Sequence, residues 1–300
     1  MSAELLAYIS RRKNELGAVI MAHYYQLPEI QDAADFVGDS LELARQAAVT
    51  DARVIVFCGV RFMAESAKIL NPDKTVILPE PQAGCPMADM VDADGLKRLK
   101  ELHPGAMVVC YVNSSAEVKA ESDICCTSSN AISVVRSIPA DREIIFVPDR
   151  NLGSYIQRET GRDMILWAGC CPVHDALSRR EIEAQKTLHP ARRWWFIPNA
   201  AGGYSGADAV LSTAGILKHV ENSPENEFII GTEEGLLHRL RKNSPHKKFY
   251  MARSGFSCAD MKLIRLEKLA NAMETLSEQV DVAHDIRQKA MVSLQRMLQI

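Results

Sequence analysis

The stretch AGCPMADM at residues 83–90 contains a Cys85-Pro86 step, and the same step returns 86 residues later as Cys171-Pro172. Proline is favoured at the first position of a helix, so each step predicts a cysteine at a helix N-cap. Cys258, 87 residues after Cys171, opens a third predicted helix without a proline. This spacing predicts three structural units of similar length.

Three further kinds of landmark keep the same order along the chain. Polar or aromatic groups end one predicted strand of each unit: His23-Tyr24-Tyr25, Tyr111-Val112-Asn113 and Ile197-Pro198-Asn199. Hydroxyl groups open the next predicted helix: Gly38-Asp39-Ser40, Thr127-Ser128-Ser129 and Ser212-Thr213-Ala214. A second strand then ends in Cys58-Gly59-Val60, Pro148-Asp149-Arg150 or Gly231-Thr232-Glu233. Although any α/β chain shows some periodicity, shared order in three units favours a true repeat.

Short apolar segments separated by helical stretches predict an α/β fold with parallel sheets and helices on both faces. The ten segments are AVIMAHYY, RVIVFCGV, TVILPE, AMVVCYVN, DICCTSS, EIIFVPD, MILWAG, RWWFIPN, AVLSTA and EFIIGTE. We expect three αβα units, at residues 1–80, 81–166 and 167–254, and a helical segment at 255–300. Because ligands bind beyond the carboxyl ends of such strands, units around a pseudo-threefold axis would direct their landmarks into one central cavity.

The composition is that of an ordinary globular protein, with 47% hydrophobic and 24% charged residues. A net charge of −3 with scattered basic residues argues against nucleic-acid binding. No stretch approaches the roughly 20 apolar residues of a membrane span, and the N-terminal residues lack the pattern of a signal peptide. We therefore expect a cytoplasmic protein without nucleic-acid or membrane partners.

The eight cysteines contain no C-x-x-C pair, so a metal site would need ligands that are distant in sequence. Cys85, Cys171 and Cys258, one from each repeat, form such a set, and a helix N-terminus is expected to lower a thiol pKa. Three thiolates suit a 4Fe-4S cluster with one open iron, and zinc with a bound water is the competing interpretation. The other five are expected in the core: Cys58, Cys110, Cys125, Cys126 and Cys170.

The hydroxyl clusters have two interpretations. A serine or threonine at a helix start is most often an N-cap, but three helix N-termini around one cavity would also bind phosphate and carboxylate groups. Hydrogen-bonding and proton-transfer groups are expected on the same rim: His23, Tyr25, Tyr111, Asn113, His174 and Glu233.

Several motifs together identify the chain as a member of the quinolinate synthase family. These are AHYYQLPEIQDAADFVGDS, FCGVRFMAESAKIL, AGCPMADM, CYVNSSAEVKAESDICCTSSNA, FVPDRNLG, CCPVH, STAGI, GTEEGL and CADMKL. The resemblance implies condensation of iminoaspartate with dihydroxyacetone phosphate to quinolinate in NAD biosynthesis. It also implies a 4Fe-4S cluster on Cys85, Cys171 and Cys258, whose open iron acts as a Lewis acid.

The resemblance also implies the roles of individual residues. The expected catalytic residues are His23, Tyr25, Tyr111 and His174. The expected substrate-binding residues are His23, Ser40, Tyr111, Asn113, Ser128, Asn199, Ser212 and Thr213. Partners would be small phosphate- and carboxylate-bearing substrates, together with an upstream oxidase that produces the imine.

One segment departs from the family pattern. Where the family usually has His-Pro-Glu, this chain has Ile197-Pro198-Asn199, followed by the glycine-rich AAGGYSGAD. An alkyl group cannot transfer a proton, and an asparagine amide is not a base. Two alternatives follow: a paralogue that uses the same site on a different small anionic substrate, and an inert cluster or ligand sensor.

Overall fold

The computed structural model describes residues 2–188, 193–196, 198, 200 and 207–300. Within these residues it contains three separate parallel sheets of four strands each, which alternate with helices along the chain. The predicted α/β class is confirmed. No helix in the described part of the chain is long and apolar enough to cross a membrane.

The strands are short. They are β1 (Ala18–His23), β2 (Phe36–Gly38), β3 (Val54–Cys58), β4 (Thr75–Ile77), β5 (Met107–Tyr111), β6 (Ile124–Cys126), β7 (Ile144–Val147), β8 (Ile165–Leu166), β9 (Arg193–Phe196), β10 (Ala209–Val210), β11 (Glu227–Gly231) and β12 (Lys248–Met251). Most residues of the central strands are buried, as the apolar segments predicted.

The helices lie between these strands and after the last one. They are α1 (Ser2–Leu16), α2 (Pro28–Ala33), α3 (Ser40–Val49), α4 (Arg61–Leu70), α5 (Ala93–Leu102), α6 (Ala116–Ala120), α7 (Ala131–Ser137), α8 (Arg150–Thr160), α9 (Pro172–Asp175), α10 (Arg179–Leu188), α11 (Thr213–Asn222), α12 (Leu236–Asn243), α13 (Leu266–Thr275) and α14 (His284–Leu298). Two 3₁₀ helices occupy Ala88–Met90 and Asp260–Lys262.

The three sheets share one strand order. The first runs β2-β1-β3-β4, the second β6-β5-β7-β8 and the third β10-β9-β11-β12, with every pair parallel. In each sheet, therefore, the first strand in sequence lies between the second and the third. The repeated landmarks of the sequence correspond to equivalent strand ends in this order.

The ten predicted segments all contain a strand, and two strands were missed. The apolar run at β2 is only Phe36-Val37, and β12 begins at the exposed Lys248, so neither presents the longer apolar run expected of a parallel strand. Both are edge strands of their sheets. An edge strand needs fewer apolar residues than a central strand because one side has no neighbour.

The C-terminal helices pack against the first two sheets. Helix α14 contacts α6, β6 and α4, and α13 contacts α1. The segment that carries Cys258 therefore leads from the third sheet back to the rest of the chain.

Three predicted helix starts are wrong. Only Cys171 is the N-cap of a helix, α9, with Pro172 at its first position. The 3₁₀ helix after Cys85 begins at Ala88, and the one after Cys258 begins at Asp260. Ser128 does not open α7, because the side chain of Asn130 accepts the Thr127 N–H at 2.8 Å and holds a turn before the helix.

Candidate functional site

One pocket collects predicted residues from all three sheets. Its walls include eleven of them: His23, Tyr25, Ser40, Cys85, Tyr111, Asn113, Ser128, Cys171, His174, Thr213 and Cys258. His23 ends β1, Tyr111 ends β5, and Thr213 opens α11 after β10. These side chains therefore meet beyond the carboxyl ends of parallel strands, where the fold class predicts a ligand.

The three cysteines share a local environment. Each sulfur interacts with the backbone N–H groups of the residues two and three positions later in the sequence. These are Met87 and Ala88 for Cys85, Val173 and His174 for Cys171, and Asp260 and Met261 for Cys258. Each pair of N–H groups favours the thiolate form of its cysteine. The repeat is therefore visible in hydrogen bonding around the sulfurs as well as in their spacing along the chain.

The expected lowering of the thiol pKa is wrong for the protein without a bound metal. Burial raises the pKa of Cys85 to about 12, and it also raises the pKa values of Cys171 and Cys258, more strongly than the N–H groups lower them. A metal ion deprotonates a coordinating thiol outright, so a raised thiol pKa does not prevent ligation.

The three cysteines line the same pocket. Within the described residues, no three His, Cys, Asp or Glu side chains come close enough together to hold a single metal ion. Cys85, Cys171 and Cys258 therefore do not form a compact single-ion site. The donor set, three pocket-lining thiols with N–H groups beside each sulfur, fits a larger group bound by thiolates.

Of the other cysteines, Cys170 was wrongly expected in the core. It is only partly buried, and its backbone N–H contacts the sulfur of Met90. Cys58, Cys110, Cys125 and Cys126 are buried as predicted.

His23 is held as a neutral hydrogen-bonding group. Its Nδ1 accepts the backbone N–H of Tyr25 at 3.1 Å, which leaves Nε2 as the nitrogen that carries a proton. Burial, assisted by the positive charge of Lys262, lowers the pKa of His23 to about 3. The Tyr25 ring packs edge-on against the imidazole, with centroids 4.5 Å apart.

His174 is engaged at both ring nitrogens. Nδ1 lies 3.1 Å from Cys171 Sγ, and Nε2 lies 3.2 Å from Thr232 Oγ1. Thr232 Oγ1 in turn lies 2.6 Å from the hydroxyl oxygen of Tyr25. Burial lowers the pKa of His174 to about 3, so the ring is neutral. A chain of hydrogen bonds therefore joins the segment after β1, the end of β11 and a pocket cysteine.

Tyr111 ends β5, and Asn113 lies two residues later in the same pocket wall. Burial holds the pKa of Tyr111 well above its ordinary value, so the phenol is neutral. The Oδ1 atom of Asn113 is buried and has no hydrogen-bond partner among the described residues. Because an unpaired buried acceptor is costly, this oxygen is suited to receive a hydrogen bond from a ligand.

The predicted hydroxyl groups occupy different positions at the helix starts. Ser40 is the first residue of α3, and the cap is Asp39, whose carboxylate accepts the N–H groups of Leu41 and Glu42. Ser212 caps α11 by accepting the Gly215 N–H at 3.1 Å. It does not line the main pocket, but it lines an adjoining cavity together with Ser128.

Glu233 supports the segment that carries Cys258. Its fully buried carboxylate accepts N–H groups from Cys258 at 3.1 Å and from Gly235 at 2.7 Å, and it pairs with Lys262 at 2.8 Å. The Lys262 ammonium also donates to the carbonyl of Tyr25. The end of the third sheet is thereby joined to the first.

Sequence reasoning missed several residues of the site. Thr232 was noticed as a strand end without a role, and Asp39 was noticed only as a neighbour of Ser40. No sequence motif indicated which apolar residues line the pocket: Val60, Phe62, Met63, Met87, Val173 and Met261. Ile197 and the predicted substrate ligand Asn199 lie outside the described residues.

The chain also matches known proteins along almost its whole length. The family model described as "NadA: Quinolinate synthetase A protein" matches residues 7–299. The chain belongs to the quinolinate synthase family. It is 50% identical over 299 residues to the quinolinate synthase of Desulforudis audaxviator, covering 99% of both chains.

Two other relatives match the chain with similar identity and coverage. The quinolinate synthase of Methanosarcina barkeri is 50% identical over 299 residues, covering 99% of this chain and 98% of the relative. One from Dehalococcoides mccartyi is 49% identical over 302 residues and is covered in full, as is this chain.

Proposed function

We propose that this protein condenses iminoaspartate with dihydroxyacetone phosphate to form quinolinate for NAD biosynthesis. The proposal rests on family membership over the whole chain and on one structural observation. Three cysteines from repeats 86 and 87 residues apart line a single pocket with the predicted histidines and tyrosines. We further propose that the repeats at 1–80, 81–166 and 167–254 are related by a pseudo-threefold axis through this pocket, and that 255–300 completes it.

Cys85, Cys171 and Cys258 would hold a 4Fe-4S cluster. The backbone N–H groups beside each sulfur would stabilise the negative charge of the thiolates. When bound, such a cluster supplies a Lewis-acid iron without a protein ligand, which can stabilise charge that develops on a substrate atom.

The side chains around the cysteines would bind and orient the substrates. His23 is neutral and offers an Nε2 proton, and Asn113 offers an unpaired carbonyl oxygen. Tyr111 is a neutral phenol in the same wall, so it can donate a hydrogen bond to a carbonyl or carboxylate oxygen. Together these groups supply both donors and acceptors, which two small polar substrates require.

Negatively charged substrate groups would bind at the helix starts. Helix α11 begins at Thr213 in the pocket wall, and a helix N-terminus presents backbone N–H groups and a partial positive charge. Ser40 at the start of α3 and Ser128 in the turn before α7 add hydroxyl groups to the same pocket. At α3 the carboxylate of Asp39 already occupies two N–H groups, so the α11 start is the stronger site for a phosphate.

The direct test is product analysis under anaerobic conditions. Protein loaded with a full cluster is supplied with iminoaspartate and dihydroxyacetone phosphate, and we expect quinolinate by mass spectrometry. The control is Cys171→Ser protein, which should form none. Full cluster loading without quinolinate would leave family membership intact and contradict the proposed reaction.

If no quinolinate forms, variants of the segment Ile197-Pro198-Asn199 distinguish the two alternative functions, a redirected paralogue and a sensor. A protein that becomes active only as Ile197→His with Asn199→Glu would be a paralogue redirected to another small anionic substrate. A cluster-bearing protein that turns over no candidate substrate in either form would be a sensor. An upstream oxidase that supplies the imine is the partner that the proposed reaction requires.

A further inference from the structure

One fully buried charge has no part in the reaction proposed above. Lys119 lies in α6, and its side chain is completely shielded from solvent. Lysine is almost never fully buried unless its charge is paired. The Lys119 ammonium forms no salt bridge with a carboxylate of the described residues, and it donates a hydrogen bond to the backbone carbonyl of Ser114. Because burying an ammonium is costly, packing alone does not account for a lysine at this position.

Ser114 ends the turn that carries Asn113 after β5. Its N–H donates to the carbonyl of Val112 at 2.9 Å, and its hydroxyl donates to the carbonyl of Tyr111 at 3.0 Å. Ser114 is fully buried, so its own carbonyl needs a partner inside the protein. The Lys119 ammonium is that partner, and it therefore fixes the end of the turn.

The Asn113 side chain depends on this turn for its direction. Its Oδ1 atom is buried in the wall of the pocket and has no hydrogen-bond partner among the described residues. By comparison, the imidazole of His23 is fixed by its own hydrogen bond to the Tyr25 N–H. Since no such bond fixes the amide oxygen of Asn113, the backbone of the turn decides where it points.

The same ammonium contacts a second wall of the pocket. Its Nζ lies 5.4 Å from the centroid of the Phe62 ring, a cation–π contact, and Phe62 lines the pocket from α4. The backbone of Lys119 is held in turn by α14, because Ser293 Oγ donates to the Lys119 carbonyl at 2.8 Å. One residue thus joins α4, the turn after β5 and the C-terminal helix.

We propose that Lys119 is a positioning residue, whose buried ammonium holds the turn at Ser114 and thereby directs the Asn113 amide into the pocket. This inference rests on the proposed function for the role of Asn113 as a substrate ligand. An acceptor oxygen requires a donor on its ligand, and each proposed substrate has one: the hydroxyl of dihydroxyacetone phosphate and the N–H of iminoaspartate. Asn113 is therefore expected to contribute to the binding of one of the two, and Lys119 to the binding of the same one.

Amide hydrogen exchange tests the contact without a ligand. Lys119→Met nearly keeps the length of the side chain and removes the donor. Exchange in peptides that cover residues 112–114 should become at least about tenfold faster, whereas residues 107–110 of β5 should exchange as in the wild type. Lys119→Gln keeps a donor on a shorter side chain, so it should give a smaller effect at residues 112–114.

Lys247 provides a matched control in the third repeat. Like Lys119 it is buried and donates to backbone carbonyls, those of Val220 at 2.5 Å and Ser223 at 2.7 Å. It also lies 5.4 Å from the centroid of a phenylalanine ring, that of Phe228. Lys247 is not part of the described pocket wall. Lys247→Met should therefore leave both the exchange of residues 112–114 and ligand binding unchanged.

Ligand binding without turnover tests the consequence at Asn113. Calorimetric titrations of the cluster-bearing protein use dihydroxyacetone phosphate and, separately, aspartate, a stable amine analogue of iminoaspartate. We expect Asn113→Ala to weaken the affinity for one of these ligands about tenfold, and Lys119→Met to weaken the affinity for the same ligand. The double variant should bind that ligand no more weakly than Asn113→Ala does, because both changes act at one hydrogen bond.

Wild-type exchange of residues 112–114 in Lys119→Met would overturn the proposal. So would faster exchange throughout β5, unchanged affinity in either single variant, a loss for a different ligand from the one that Asn113→Ala affects, or additive losses in the double variant. Wild-type protein that binds neither ligand would contradict the proposed function, while hydrogen exchange would still decide whether Lys119 holds the turn.

Discussion

The buried carboxylate of Glu233 accepts a hydrogen bond from the backbone N–H of Cys258 at 3.1 Å. The same carboxylate accepts the Gly235 N–H and pairs with Lys262. One side chain thus holds the segment of a proposed metal ligand against the end of β11.

Replacement of this carboxylate should destabilise the fold. A Glu233→Gln amide has a single acceptor oxygen, so it leaves one of the two N–H groups of Cys258 and Gly235 unpaired. We expect the free energy of unfolding in urea to fall by about 1–3 kcal/mol. The adjacent Glu234 is exposed, so Glu234→Gln is the matched control and should unfold as the wild type does. Equal stability of the two variants would contradict this role.

Gly235 should tolerate no side chain. A Cβ atom there would lie 2.8 Å from the Tyr25 Cα and 2.9 Å from Lys262 Nζ, and a backbone atom cannot move as easily as the end of a side chain. Gly235→Ala should therefore lose about 1–3 kcal/mol through overpacking. At Gly84 the nearest atom to a new Cβ is 3.7 Å away, so Gly84→Ala should remain stable in the same urea titration. Similar losses in both variants would show that the contact with Tyr25 is not the cause.

Replacement of any of the three pocket cysteines should remove the cluster, whereas replacement of Cys170 should not. We expect Cys85→Ser, Cys171→Ser and Cys258→Ser to carry almost no iron or sulfide after anaerobic reconstitution, because each removes one of three ligands. Cys170→Ser is the control, since Cys170 does not line the pocket and should leave the cluster content unchanged. Loss of the cluster in Cys170→Ser but not in Cys171→Ser would show that Cys170, and not Cys171, is the ligand.

A surface contact between α2 and α12 should respond to pH. Asp32 accepts hydrogen bonds from Lys242 at 2.7 Å and His238 at 3.0 Å. Partial burial alone would raise the pKa of Asp32, but these hydrogen bonds bring it below its ordinary value. Because the folded-state pKa is lowered, the stabilisation is present above the unfolded pKa and is lost as the pH falls through the folded pKa.

The corresponding variant is Asp32→Asn. The contact is partly exposed, so near neutral pH we expect a loss below about 1 kcal/mol in urea unfolding. The difference from the wild type should shrink below the unfolded pKa of Asp32 and disappear below its folded-state pKa. A difference that grows on acidification would contradict the assigned sign. Asp51 is exposed and lies outside the contact between α2 and α12, so Asp51→Asn is the control.

The sequence predicted the parts of the fold that repeat along the chain. The nearly constant spacing of Cys85, Cys171 and Cys258 predicted that they meet in one pocket, and His23 and Tyr111 were expected there because they end apolar strands. Helix starts were predicted less well. Nothing local to Ser128 shows that Asn130, two residues later, will accept the Thr127 N–H and delay α7.

Thr232 could not be recognised from its neighbours in sequence. Its contacts are with Tyr25 and His174, which are 207 and 58 residues away. A buried threonine after a strand is compatible with many roles, and only the tertiary packing of three sheets distinguishes them. The same holds for Glu233, whose partners are a backbone N–H and a lysine from a later segment.

The common strand order of the three sheets has a consequence for how the pocket can change. The backbone supplies three equivalent positions, but the chain fills them with unlike groups: Gly59 after β3, Pro148 after β7, and Thr232 after β11. The three sheets therefore share one strand order, whereas the side chains at equivalent positions differ. A side chain lost at one position therefore has no duplicate at the other two, even though its structural counterparts remain.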